Sequence, residues 1–152
     1  MNLNDKLVEQ LSDELLECNC KPDPVKSKQV AERLASVLGE ATEECIRRYI
    51  HSWILIWEAR GNLEEAVRLQ NLDINRKRSE IEAGDYDRYP SLLPEEIEYL
   101  QDSLYLQAIR FEKLGNKHSA IDCLCEVYDL ANRYGIGPDE DTQALYAKLI
   151  AS

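Results

Sequence analysis

The segment Trp57-Glu58-Ala59-Arg60-Gly61-Asn62-Leu63-Glu64-Glu65-Ala66-Val67 aligns without a gap onto Phe111-Glu112-Lys113-Leu114-Gly115-Asn116-Lys117-His118-Ser119-Ala120-Ile121, 54 residues later. Each copy carries an aromatic residue four positions before a glycine. An asparagine comes directly after the glycine, and an alanine five positions after it precedes a β-branched aliphatic residue. Such a segment predicts a helical hairpin: the aromatic wedges between helices, the glycine relieves the turn, the asparagine caps the next helix, and the alanine lets the two approach closely. A repeated supersecondary unit decides the architecture before any single helix does.

Outward from these turns, apolar residues recur at three- and four-residue steps and no segment alternates long enough for a strand, so the chain is expected to be all-α with about seven helices. Leu3, Leu7, Leu11 and Leu15 form one face of a first helix that ends before Pro22 and Pro24. A second helix over residues 26–38 carries Val30, Leu34, Val37 and Leu38 and stops at Gly39. The third, over residues 40–60, is the most apolar. The fourth runs from its Asn62 cap to residue 83, and its stretch Asn75-Arg76-Lys77-Arg78-Ser79-Glu80 is polar enough to be expected to protrude into solvent. A loop over residues 84–93 leads to a fifth helix with Ile97, Leu100, Leu104, Ala108 and Phe111 on its buried face. The sixth carries Ala120, Leu124, Val127, Ala131 and Tyr134, and a short last helix carries Leu145, Tyr146 and Leu149.

The two copies resemble the tetratricopeptide repeat, a two-helix unit with an aromatic, a turn glycine and a packing alanine at this spacing. In the second copy Leu104, Ala108, Phe111, Gly115, Ala120, Leu124 and Leu130 fall where that family places large, small, aromatic, turn, small, large and large residues. In the first copy Ile50, Trp57, Gly61 and Ala66 match, while Ile54 and Gln70 depart. The resemblance implies one domain over residues 1–152 in which antiparallel hairpins stack as a right-handed array. Its parts are a helical hairpin over 1–38, a first repeat with an extended second helix over 40–83, a second repeat over 94–134 and a capping helix over 138–151. It also implies a concave groove lined by Arg48, His51, Leu55, Glu58 and Ala59 from one repeat and Asp102, Tyr105, Ile109, Glu112 and Lys113 from the other. With Leu55, Tyr105 and Ile109 at its centre, such a groove suits a partner helix or apolar segment rather than a terminal carboxylate. It is either open to a partner or filled by the chain's own first or last helix.

Composition sets the classes to discount. Twenty-nine acids against 18 bases give a formal charge of -11, spread along the chain, so phosphate backbones and anionic membranes are repelled and nucleic acid is not expected as a partner. The start of the chain lacks the basic, apolar pattern of a signal peptide, and no run reaches the roughly 18 apolar residues of a membrane span, so the expected location is cytoplasmic. Five cysteines, an odd number, are expected as free thiols. Cys123 and Cys125 stand two apart within a helix, about 200° around its axis, a poor geometry for zinc shared with Cys18 and Cys20. Cys45 and His51 are nearly opposite on one helix, and no histidine pair has metal-binding spacing. No metal, cofactor or catalytic group is therefore expected. The function expected is protein binding without catalysis, as an adaptor or complex subunit; the alternative is an acidic inhibitor, resembling an antitoxin, that neutralises a basic protein.

Overall fold

Glycines and prolines end most of the helices, as their positions in the sequence require. The computed structural model describes residues 3–152. Among these residues there are eight α-helices and no strand: α1 Leu3–Cys20, α2 Pro24–Leu38, α3 Glu43–Arg48, α4 Ile50–Ala59, α5 Leu63–Glu82, α6 Leu93–Lys113, α7 Lys117–Tyr134 and α8 Glu140–Ala151. A single 3-10 turn, Pro90–Leu92, precedes α6. None of the helices is long and apolar enough to cross a membrane. The chain divides into two compact units, Met1–Gln70 and Asn71–Ser152, with the border inside α5.

In the first unit α1, α2 and α4 pack on one another in all three pairings. Asp23 starts α2 by accepting from the Lys26 amide at 3.2 Å, with Pro24 in the first turn where no donor is lost. The core holds Val8, Leu11 and Leu15 from α1, Val30, Ala31 and Leu34 from α2, and Ile50, Trp53, Ile54, Leu55 and Ile56 from α4. Leu7 belongs to the expected face of α1 but is 37% exposed, whereas Val8 and Cys18 are buried. A row of strict four-residue steps drifts around a 3.6-residue helix, while the 8, 11, 15, 18 row stays on one side. The side chain of Leu3 lies outside the described residues.

The third helix expected over 40–60 is two helices. Tyr49 has φ -119° and ψ 42°, outside the helical region, and its hydroxyl donates to Asp5 Oδ1 at 3.2 Å. The break separates polar α3, which has no buried residue, from α4, where Ile50 and Ser52 to Ile56 are buried. Neither proline nor glycine marks Tyr49; the contrast in polarity on its two sides is what the break serves.

The two aligned segments form the same turn. Asn62 N–H donates to Trp57 O at 2.9 Å and Gly61 N–H to Glu58 O at 3.0 Å, while Asn116 N–H donates to Phe111 O and Gly115 N–H to Glu112 O at those same two distances. This is the Schellman closure, which places its glycine in the left-handed region: φ is +82° at Gly61 and +77° at Gly115. Asn62 Oδ1 then accepts from Glu65 N–H, and Asn116 Oδ1 from Ser119 N–H, each at 3.1 Å. Ala66 and Ala120 are both fully buried. Ala120 faces Ala108, Leu124, Leu145 and Leu149 in one cluster of the second unit, so Ala120→Leu is expected to lower stability by about 1–3 kcal/mol through overpacking. A thermal melt unchanged by that substitution would show that the site has room and does not hold its helices close.

The second unit is built on α6, which packs along α7, and on α7 with α8. Ile97, Leu100 and Leu104 meet Val127, Leu130 and Ile74 in one cluster. Phe111, Ala131, Tyr134 and Tyr146 are only half-buried at the edges of the expected stripes.

Candidate functional site

The residues expected to line a groove fall into both units and have different surroundings. In the first unit Arg48 is exposed and pairs with Asp5 at 3.9 Å, His51 is exposed, and Ala59 is half-buried. Leu55 is a core residue at 8% exposure. The end of α1 lies over it: Asn19 Nδ2 donates to Leu55 O at 3.3 Å and to Glu58 Oε1 at 3.1 Å. Of the two alternatives for this part of the groove, open or filled by the chain's own helix, Leu55 fits the filled one, since it packs in a core cluster with residues of α1. In the second unit Tyr105 and Ile109 are half-buried against the cluster that contains Leu145 and Leu149 of α8. Glu112 pairs with Lys148 of α8 at 3.2 Å, and Lys113 is exposed. The last helix therefore occupies much of the α6 face expected to receive a partner.

Of the polar stretch of α5, Asn75, Arg76 and Ser79 are exposed as expected, Arg78 and Glu80 are half-buried, and Lys77 is not at the surface. Lys77 is only 9% exposed, and its ammonium donates to Glu96 at 2.6 Å and to Glu80 and the Tyr86 hydroxyl at 2.9 Å each. Burial disfavours the charge, but the hydrogen bonds to Glu96, Tyr86 and Glu80 outweigh it and hold the pKa above the usual lysine value. Tyr86, from the loop after α5, donates to Glu80 at 2.7 Å, and that bond together with Lys77 keeps the Glu80 carboxyl below its usual range. One turn earlier on α5, fully buried Asp73 accepts from Tyr99 at 2.6 Å and from Arg76 at 2.6 Å. Burial and that bond to Asp73 raise the Tyr99 pKa. Arg78 reaches Glu126 of α7 at 2.8 Å. Long side chains with apolar stems and charged ends thus join α5 to α6 and α7 in place of an apolar stripe, with Ile74 and Ile81 between them. Each base of the triplet pairs with a carboxylate of the same unit, and Lys77 alone of the three is buried.

A separate cavity of about 210 Å³ opens where α6, the end of α7 and the start of α8 meet. Its floor is Gln101, whose amide donates to Ile136 O at 2.9 Å and so ties the loop after α7 to α6. Val127, Ile136 and Pro138 form the apolar wall, and Glu98, Asp102 and Asp139 bring three carboxylates. Asp139 is the cap of α8, accepting from the Thr142 amide at 2.8 Å. Burial, with Asp139 and Glu98 close by, raises the Asp102 pKa. Of these residues the sequence pattern points to Asp102 alone. A glutamine inside the Ile97, Leu100, Leu104 stripe was the available sign, since a polar group on an apolar face needs partners.

The five cysteines are all free thiols. Cys45 Sγ donates to Leu38 O at 3.6 Å from α3, while His51 stands exposed on α4. Burial, with Glu126 and Asp122 nearby, pushes the Cys123 thiol up to about 12, which keeps it protonated and unreactive at neutral pH. Among the described residues no three His, Cys, Asp or Glu side chains converge closely enough to hold a metal ion. No protein family, curated protein or solved structure matches the chain.

Proposed function

We propose that the chain is a non-catalytic protein-interaction module, built around two tetratricopeptide-like hairpin turns, that recognises a basic segment of another protein. The placement of the cations carries this reading. Arg60 pairs with Glu32 at 2.9 Å, Arg76 with Asp73, Lys77 with Glu96, Arg78 with Glu126 and Lys148 with Glu112. Each of these bases is neutralised within its own unit. The net charge of -11 is therefore presented by carboxylates left over, and the field they set up attracts a cationic partner and accelerates its encounter.

The covered position of Leu55 supports this reading over an apolar-groove adaptor, because one of the two symmetrically placed anchors is inside a core. The experiment is stopped-flow association with a helical peptide rich in lysine and arginine, against an analogue with those residues replaced by glutamine. The basic peptide should associate about tenfold more slowly when ionic strength rises through the physiological range, and the neutral one should bind poorly at any salt. Salt-independent binding of both peptides would replace the basic partner with an apolar one.

A further inference from the structure

We propose that Cys18 and Cys20, at the end of α1, are a redox site: the pair closes to a disulfide by exchange with a small-molecule disulfide, and the closure withdraws Asn19 from α4. The chain carries the spacing Cys-x-Cys twice, and the fold places the two copies differently. Cys20 is the last residue of α1 and is exposed, while Cys18 is buried at 6% exposure. Cys123 and Cys125 stand inside α7, with helix on both sides.

Residues two apart on a helix point about 200° apart, and a disulfide needs its two Cβ atoms about 4 Å from each other, so neither pair closes without unwinding a turn. For Cys18 and Cys20 the unwinding is confined to a helix end, the part of a helix that opens at lowest cost. Beyond Cys20 the chain is held by Lys21 N–H donating to Glu17 O at 2.9 Å and Asp23 N–H donating to Cys18 O at 3.4 Å. A cavity of about 160 Å³ lies beside this turn, between α1 and the start of α2, and Cys18 lines it together with Glu17, Lys21, Asp23 and Lys26. The Cys18 side chain therefore has space to turn out of the core toward Cys20. In α7 the same unwinding would break a helix that continues from Cys125 to Tyr134, and burial keeps Cys123 protonated.

The exchange has two steps. Cys20, deprotonated, attacks one sulfur of the oxidant; a mixed disulfide forms and the other half leaves as a thiolate. Cys18, freed by the unwound turn and deprotonated in its turn, attacks the Cys20 sulfur, so the Cys18–Cys20 bond forms and the second half of the oxidant leaves. Two electrons pass from the cysteine sulfurs to the oxidant, which ends as two thiols carrying the two protons the cysteines lost. Asn19 stands between the cysteines and donates to Leu55 O at 3.3 Å and to Glu58 Oε1 at 3.1 Å. Unwinding the backbone on both sides of Asn19 removes those bonds, so oxidation loosens the cover of α1 over the end of α4. The site does not depend on the basic-partner reading.

The test uses the full chain and 2-hydroxyethyl disulfide, an uncharged oxidant that the net charge of -11 does not repel. Remaining thiols are then alkylated, and mass spectrometry follows the tryptic peptide over residues 7–26, which carries Cys18 and Cys20 and no other cysteine. That peptide should become lighter by two hydrogens, with neither alkyl group nor oxidant attached, and Cys123 should react about tenfold more slowly. Fluorescence from Trp53 and Trp57 of α4 should change with the same time course and return on addition of dithiothreitol. Cys20→Ser, at an exposed position, should leave Cys18 open to alkylation and the fluorescence unchanged, and Cys18→Ser should hold a lasting mixed disulfide on Cys20. In the parent chain, a mixed disulfide on Cys20 beside an alkylated Cys18, a disulfide-linked dimer, or closure of Cys123 with Cys125 at the same rate overturns the site. A Cys18–Cys20 bond that leaves the fluorescence unchanged overturns the coupling to α4.

Discussion

Leu55→Asp is expected to destabilise the first unit by about 4 kcal/mol, the cost of removing a core leucine and placing an unpaired carboxylate among Trp53, Ile54 and Ile56. The two tryptophans of the chain, Trp53 and Trp57, both lie on α4, so tryptophan fluorescence reports this unit selectively. Its unfolding midpoint in urea should fall sharply in the variant. Ile109→Asp, at a half-buried position of the second unit, should cost less and leave the tryptophan transition in place. A Leu55→Asp protein whose fluorescence transition matched that of the parent would return Leu55 to the surface and restore it as a candidate anchor. The two positions are equivalent at the offset that aligns the turns, and their different costs would express what covers each: the end of α1 over one, the flank of α8 against the other.

Lys77→Met tests the wiring of the second unit. Methionine keeps most of the stem and removes the charge, leaving Glu80 and Glu96 facing each other without the cation between them. Breaking a buried pair by deleting one partner costs several kcal/mol, and the carboxylates here keep part of their hydration, so a loss of about 2–3 kcal/mol is expected in urea unfolding followed by circular dichroism. The pH dependence has a definite sign. The folded Lys77 pKa is raised, so its contribution is complete below the ordinary lysine value of 10.5 and is lost as pH rises beyond it. The folded Glu80 pKa is lowered, so its contribution is present above the ordinary value of 4.5 and is lost as pH falls below it. The gap between parent and variant should therefore be widest between those limits and narrow on both sides. Adding Glu96→Gln to Lys77→Met should recover part of the loss. A gap under about 0.5 kcal/mol at neutral pH would reduce the cluster to an ordinary surface pairing.

The all-helical character, the positions of most helix ends and the two equivalent turns were legible in the sequence, because each depends on neighbouring residues. Gly61 and Gly115 must take positive φ, Asn62, Asn116 and Asp139 cap the helices that begin after them, and the 3.6-residue period of Ile97, Leu100, Leu104 and Ala108 states which side of α6 is buried. Three features required the tertiary structure. The break at Tyr49 joins a polar segment to an apolar one and ties to Asp5, 44 residues earlier, a contact no local pattern encodes. The depth of Lys77 depends on Glu96 and Tyr86 arriving from α6 and the preceding loop; a run of charges reads as solvated until its partners are known, because the same side chain is costly alone and stable when paired. The cavity draws on Gln101, Val127, Asp139 and Thr142 from three separate helices and their connection. Periodicity fixes which face of a helix is apolar, but only the packing of other elements decides whether that face is covered, and by what.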